Sequence, residues 1–158
     1  MTSVLPNPDV ETSIWIACPP EDIWAYWYDV SRETEWRGGV IAAQWISDPP
    51  HGIGSTGLHV VQGTGDWPWT IAKWEEMRSI SWDITGGRFE GAHAGYRVAP
   101  EDAGSRVTIH TRVKPSVLMR ILMLIGKPLI RGQLAADLER LKAIMEAQTP
   151  SDQPPRHS

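Results

Sequence analysis

The sequence predicts an α+β domain: a curved sheet of seven antiparallel strands, two short helices after the first strand, and one long C-terminal helix. Three observations carry that prediction. Residues 40 to 113 fall into short segments of strand character separated by turns rich in Gly and Pro. A proline pair, Pro19-Pro20, ends the first such segment and opens a helix. The last long segment carries apolar residues at three-and-four spacing, the period of one helix face. A sheet with one apolar face must bury it, and the closing helix is the large element available to cover it.

Residues 10 to 17, VETSIWIA, alternate and hold Ile and Trp, so they read as the first strand. Pro20 suits the first position of a helix over 20–28, where Glu21 and Asp22 complement its positive end. Ile23 and Trp27 lie one turn apart on one face of it. Asp29 or Ser31 is placed to cap a second short helix that ends near Trp36, after which Arg37-Gly38-Gly39 turns the chain. Six strands follow: 40–47, 57–63, 67–76, 79–85, 92–99 and 105–113. Pro68 cannot donate to a ladder, so the strand over 67–76 begins at an edge or a bulge. The long helix runs from a Ser116 cap to about Ala147. Its apolar positions are Leu118, Leu122, Ile125 and Leu129, then Leu134, Leu138, Leu141 and Met145, and Pro128 should kink it.

The chain has 158 residues, 41% of them hydrophobic and 22% charged, which suits one globular domain over residues 1–147. The polar, proline-rich end QTPSDQPPRHS, residues 148–158, reads as a disordered tail. A single cysteine, Cys18, forms no intrachain disulfide, and no basic start with an apolar run opens the chain, so a cytoplasmic protein is expected. No apolar run approaches the roughly 20 residues of a membrane span, so stable membrane insertion is not expected. Net charge is −4 with Lys and Arg scattered, which argues against nucleic acid as a partner.

The segment SIWIACPPEDIWAYWYDV, Trp36 ending the second helix, GIGS, KWEEMRSISW, AGSRVTI and LERLKAIME occur in an order and spacing that cover about residues 10 to 147. In these the chain resembles the helix-grip superfamily SRPBCC, which includes START domains, birch-pollen-allergen proteins and the polyketide cyclase/dehydrase family. The resemblance implies a deep, mostly apolar cavity between sheet and long helix, and a small hydrophobic ligand: a lipid, a sterol-like molecule or an aromatic polyketide. Trp15, Trp24, Trp27 and Trp36, four of the nine tryptophans, fall between residues 15 and 36, and the aromatics on the two short helices would pack at one end of such a cavity. The superfamily carries no universal catalytic signature that could be mapped onto this chain.

The five histidines, 51, 59, 93, 110 and 157, show no metal-ligand spacing with each other or with Cys18, so no metal is expected. No nucleophile elbow and no phosphate loop is present, and no cofactor motif emerges. Glu75 and Glu76 are neighbours in a strand and point to opposite faces, which prevents them from working as a pair. Strand parity turns Val107, Ile109, Thr111 and Val113 inward and sends His110 and Arg112 out. It also turns Tyr96 and Trp82 inward. Over 57–63 either Leu58, Val60 and Gln62 or His59 and Val61 face in, and the first set is the expectation. Over 67–76 either face can be the buried one.

The expected ligand wall is therefore Trp36, Leu58, Val60, Gln62, Trp82, Tyr96, Ile109, Thr111, Leu118 and Leu122. Tyr96 is the polar handle and the one weak candidate for catalysis. Three functions compete. The first is binding of a small hydrophobic molecule. The second is an enzyme of the cyclase/dehydratase kind that uses the same cavity, and it gains if His59 faces in. The third is a homodimer or partner module that docks through the apolar half-helix 117–125.

Overall fold

The computed structural model describes residues 9–113 and 117–148, with the side chains of 117–125 outside the description. Its elements are β1 (Asp9–Ile16), α1 (Pro20–Tyr28), a short 3-10 turn (Val30–Arg32), α2 (Glu33–Trp36), β2 (Val40–Trp45), β3 (Thr56–Val61), β4 (Gly65–Glu75), β5 (Ser79–Ile84), β6 (His93–Glu101), β7 (Gly104–Arg112) and α3 (Val117–Gln148). The seven strands make one antiparallel sheet in the order β1-β7-β6-β5-β4-β3-β2. Strands β2 to β7 form a meander, and β1 pairs with β7, so the two helices after β1 cross the sheet to reach β2 at its far edge. This is the helix-grip α+β architecture that the sequence predicts.

Local chemistry sets each helix. Pro19 is extended (φ −67°, ψ 151°), Pro20 opens α1, and Glu21 and Asp22 sit in its first turn. The cap expected from Asp29 or Ser31 does not form, because Ser31 gives its hydroxyl to Asp29 and the chain takes a 3-10 turn before α2. Helix α3 continues through Pro128 to Gln148, one residue into the segment read as tail. Residues 149–158, the Ser116 cap and the side chains of Leu118, Leu122 and Ile125 lie outside the described residues. Leu129, counted on the apolar stripe, is exposed; Leu134, Leu138, Leu141 and Met145 are buried. Lys142 donates to the Trp15 carbonyl (3.1 Å) and Glu146 accepts from the Ala17 amide (3.0 Å), which ties α3 to the end of β1. No described helix is long and apolar enough to cross a membrane.

Two register shifts curve the sheet, one in β2 between Val40 and Ala42 and one in β4 between Ile71 and Lys73. The second decides the buried face of β4. Ala72 is the extra residue, so Ile71 lies opposite Trp82 while Trp74 lies opposite Ile80. Strict alternation puts Trp74 and Ile71 on opposite faces; the bulge returns Trp74 to the inner face beside Trp69 and Ile71.

Strand β3 corrects the expected parity. Gly57, opposite Trp69, and His59, opposite Trp67 and Ala43, belong to the inner set. His59 is buried, Leu58 and Val60 are only partly covered, and Gln62 is exposed. Hydrophobicity favours Leu58 and Val60 as the inner pair, but the room that Gly57 leaves for the Trp69 ring and the carboxylate partner of His59 reverse the choice. A Cβ at position 57 would run into the six-membered ring of Trp69.

Gly57→Ala should therefore cost about 1–3 kcal/mol of stability, the usual range for an overpacked core. It should also shift tryptophan emission as Trp69 moves. Urea unfolding followed by fluorescence tests this, and an unchanged midpoint with unchanged emission would contradict it.

Candidate functional site

Four charged or polar side chains meet under the helix layer. Glu33, from α2, is 3% exposed and lies 2.7 Å from Nε2 of His59 on β3, itself 6% exposed. That contact has the length of an ion pair, and neither of its two atoms has a hydrogen bond of standard geometry among the described residues. Tyr96, at the centre of β6, accepts from Nη1 of Arg37 at 2.6 Å and donates to Glu33. Arg37 also donates through Nε to Asp137 on α3 at 3.0 Å, and the other Asp137 oxygen accepts from the Gly38 amide at 2.9 Å. Arg140 completes the joint, donating to the Trp36 carbonyl and to Asp137. The chain of contacts runs from β3 through α2 and β6 to α3.

The electrostatics follow from that geometry. Burial alone would push the Glu33 carboxyl up, but the attraction of His59 and Arg37 and the Tyr96 hydroxyl outweigh it and hold the group below the usual range. Burial, with the Glu33 charge added, drives Tyr96 well above an ordinary phenol against the opposing pull of Arg37. Tyr96 thus stays protonated and serves as a hydrogen-bond donor. Burial disfavours the Arg37 charge, yet Tyr96, Glu33 and Asp137 more than compensate.

Above this network sits an interior cavity of about 10 Å³, lined by Trp27, Val30, Glu33, His59, Trp69, Ile71, Ile80, Trp82 and Tyr96. That is room for about one water molecule. The deep space that the resemblance implies is, within this wall, filled by rings: Trp27, Trp36 and Trp82 all pack on Tyr96 with ring centroids 4.9–5.2 Å away. A larger hollow of about 480 Å³ lies between α1 and the end of α3, lined in part by Tyr26, Asp29, Arg32 and Met145. It opens on the outer surface, and its polar groups partner others: Tyr26 donates to Glu35 at 2.6 Å and Arg32 pairs with Asp29 at 3.5 Å. The smaller interior cavity, where buried charge meets an aromatic wall, is the better site.

Of the expected wall, Trp82 and Tyr96 line the cavity, and Trp36 and Ile109 pack on Tyr96 from the helix layer and the neighbouring strand. Thr111 is on the inner face but away from the cavity, its hydroxyl 3.5 Å from the His93 carbonyl. Leu58 and Val60 are on the outer face, and Gln62 is exposed in the turn after β3. Sequence reasoning missed Glu33, Arg37 and Asp137, and set His59 aside. Its only available signal was Glu33 one turn before Trp36 on the same short helix. No group of three or more His, Cys, Asp or Glu side chains converges to hold a metal among the described residues.

A helix-grip fold whose inner face carries a buried acid–base cluster under an aromatic wall is consistent with the ligand-binding class of helix-grip domains. The chain belongs to the polyketide cyclase/dehydrase and lipid transport family of the SRPBCC superfamily, whose profile matches residues 7–146. Similar solved structures include TTHA0849 of Thermus thermophilus, 17% identical with a TM-score of 0.73 over 90% of this chain and 99% of that one. DR_A0006 of Deinococcus radiodurans is 20% identical with a TM-score of 0.66, covering 89% and 98%. Aha1 of Colwellia psychrerythraea, solved as a dimer, is 15% identical with a TM-score of 0.65, covering 88% and 96%. At these identities the likeness is one of fold. Comparison with curated proteins gives no match.

Because the folded pKa of Glu33 is lowered, the unfolded chain takes up the proton first as pH falls. The stability from this group is complete above about pH 4.5, its ordinary value, and disappears as pH drops through the lowered pKa. Glu33→Gln should give a shallower loss of stability to urea between pH 5 and pH 3 than the parent. The two should diverge by about 1.4 kcal/mol for each pH unit over which only the folded state keeps the charge. Parallel slopes would contradict an ionised, paired Glu33.

Proposed function

We propose that the chain binds a small, largely hydrophobic molecule between the sheet and the helix layer, with its polar end held at Glu33, His59 and Tyr96. The observation that carries this is the cavity wall, where Trp27, Trp69, Trp82, Ile71 and Ile80 surround one buried carboxylate and one buried histidine. Apolar burial contributes roughly 25 cal/mol per Å² to such binding, and the few polar groups fix orientation. A ligand body of ordinary size needs about 300 Å³ or more. Uptake therefore displaces part of the ring-filled interior around this wall, most simply the Trp24 side chain that α1 lays over the sheet. A reducing cytosol, suited to the single buried cysteine, is the proposed setting.

The Glu33–His59 contact favours one second reading, an enzyme of the cyclase/dehydratase kind. In it Glu33 orients His59, the imidazole takes a proton from the carbon beside a carbonyl, and Tyr96 keeps its own proton as a hydrogen-bond donor. Turnover lost in His59→Gln while ligand uptake persists would select this reading.

Native mass spectrometry of the purified protein, compared with its denatured mass and with an organic extract, tests the proposal. A stoichiometric apolar passenger is the expected result. A protein that carries none, and takes up no apolar probe at saturating concentration, would overturn it.

A further inference from the structure

We propose that the head group this site selects is a single hydroxyl, on an alcohol or phenol, in preference to a carboxylate. The inference deepens the ligand-binding reading above and rests on it. Among the described residues, six buried side-chain nitrogen or oxygen atoms have no hydrogen bond of standard geometry, and four belong to residues that line the same cavity: Trp27 Nε1 and Trp69 Nε1, which have no partner at all, and Glu33 Oε2 and His59 Nε2, which have only each other at 2.7 Å. The other two, on Ser79 and His110, lie elsewhere. Buried polar atoms normally find partners, so this concentration in one wall marks a place built for a polar visitor.

The chemistry of the four atoms selects among head groups. An indole N–H can only donate, and an ionised carboxylate can only accept. A hydroxyl accepts from Trp27 and Trp69 with its lone pairs and donates its proton to Glu33, beside the His59 N–H that already faces that carboxylate. A carbonyl accepts from the indoles but offers the Glu33 oxygen nothing. An ammonium donates to Glu33 but meets two further donors. A carboxylate has two oxygens where about 10 Å³ admits one, and it adds a negative charge beside Glu33. The hydroxyl alone fits both the size and the donor–acceptor pattern.

Equilibrium dialysis with naphthol, naphthoate and naphthalene at neutral pH tests this on the full chain. Naphthol should bind about tenfold more tightly than either of the others, the worth of one to two well-made buried hydrogen bonds. Trp69→Phe, which keeps a ring and drops the N–H, should cut the advantage of naphthol over naphthalene about two- to tenfold. Trp27→Phe serves the same purpose if the first variant does not fold. Naphthoate binding as tightly as naphthol, or an advantage unchanged in the folded variant, would overturn the head-group inference and leave hydrophobic binding standing. Failure of all three probes to bind would overturn both.

Discussion

Everything in this fold that bears on function hangs from Arg37. Its guanidinium is largely buried and reaches Tyr96 on the sheet and Asp137 on the closing helix, while the Gly38 amide beside it takes the second Asp137 oxygen. Three layers that share little sequence proximity are pinned at one point. The arrangement is costly in isolation, since each buried charge loses its hydration, and only mutual pairing recovers that loss. The pairing places Tyr96 at a fixed distance from Glu33 and so sets the floor of the cavity. Removing one member leaves the others buried without compensation, a loss of about 3–5 kcal/mol for a buried pair.

The tryptophan density around α1 has a related origin. A sheet curved by two bulges encloses more volume than one short helix of Leu and Ile can fill, and large rings fill it with few side chains. Trp24 and Trp27 come down from α1, Trp69 and Trp74 rise from β4, and Tyr96 stands between them and Trp36. Trp15 is outside this group; it donates to the Glu101 carbonyl at 2.8 Å and lies beneath Lys142. Rings hold shape through stacking, and each turns on only two torsions, so few rotatable bonds are fixed for the volume they fill.

The order of elements was legible in the sequence because it rests on local chemistry: Pro20 starts α1, glycine turns divide the meander, and the Leu134–Met145 stripe covers the sheet. The site was not, for three physical reasons. The bulge at Ala72 changes the face of Trp74, and period-two reasoning has no means of seeing an added residue. The parity of β3 is decided by a missing Cβ at Gly57 and by Glu33, which is distant in sequence from His59. Arg37 and Asp137 look like surface residues in their own segments, and only the closing of α3 over α2 buries them together. Tyr96 was legible since its own strand alternates cleanly and needs no partner to fix its face.

In the proposed complex a ligand's polar group engages the two unpartnered indoles of the interior. The indole N–H signals of Trp27 and Trp69, assigned through Trp→Phe variants in nitrogen-15 NMR spectra, report on it directly during titration with naphthol. These two signals should move downfield together. The indoles of Trp15, Trp45, Trp67 and Trp74, which already donate to Glu101, Tyr28, Thr64 and Glu76, should stay close to their starting positions. Shifts confined to those four, with Trp27 and Trp69 unmoved at saturation, would contradict it.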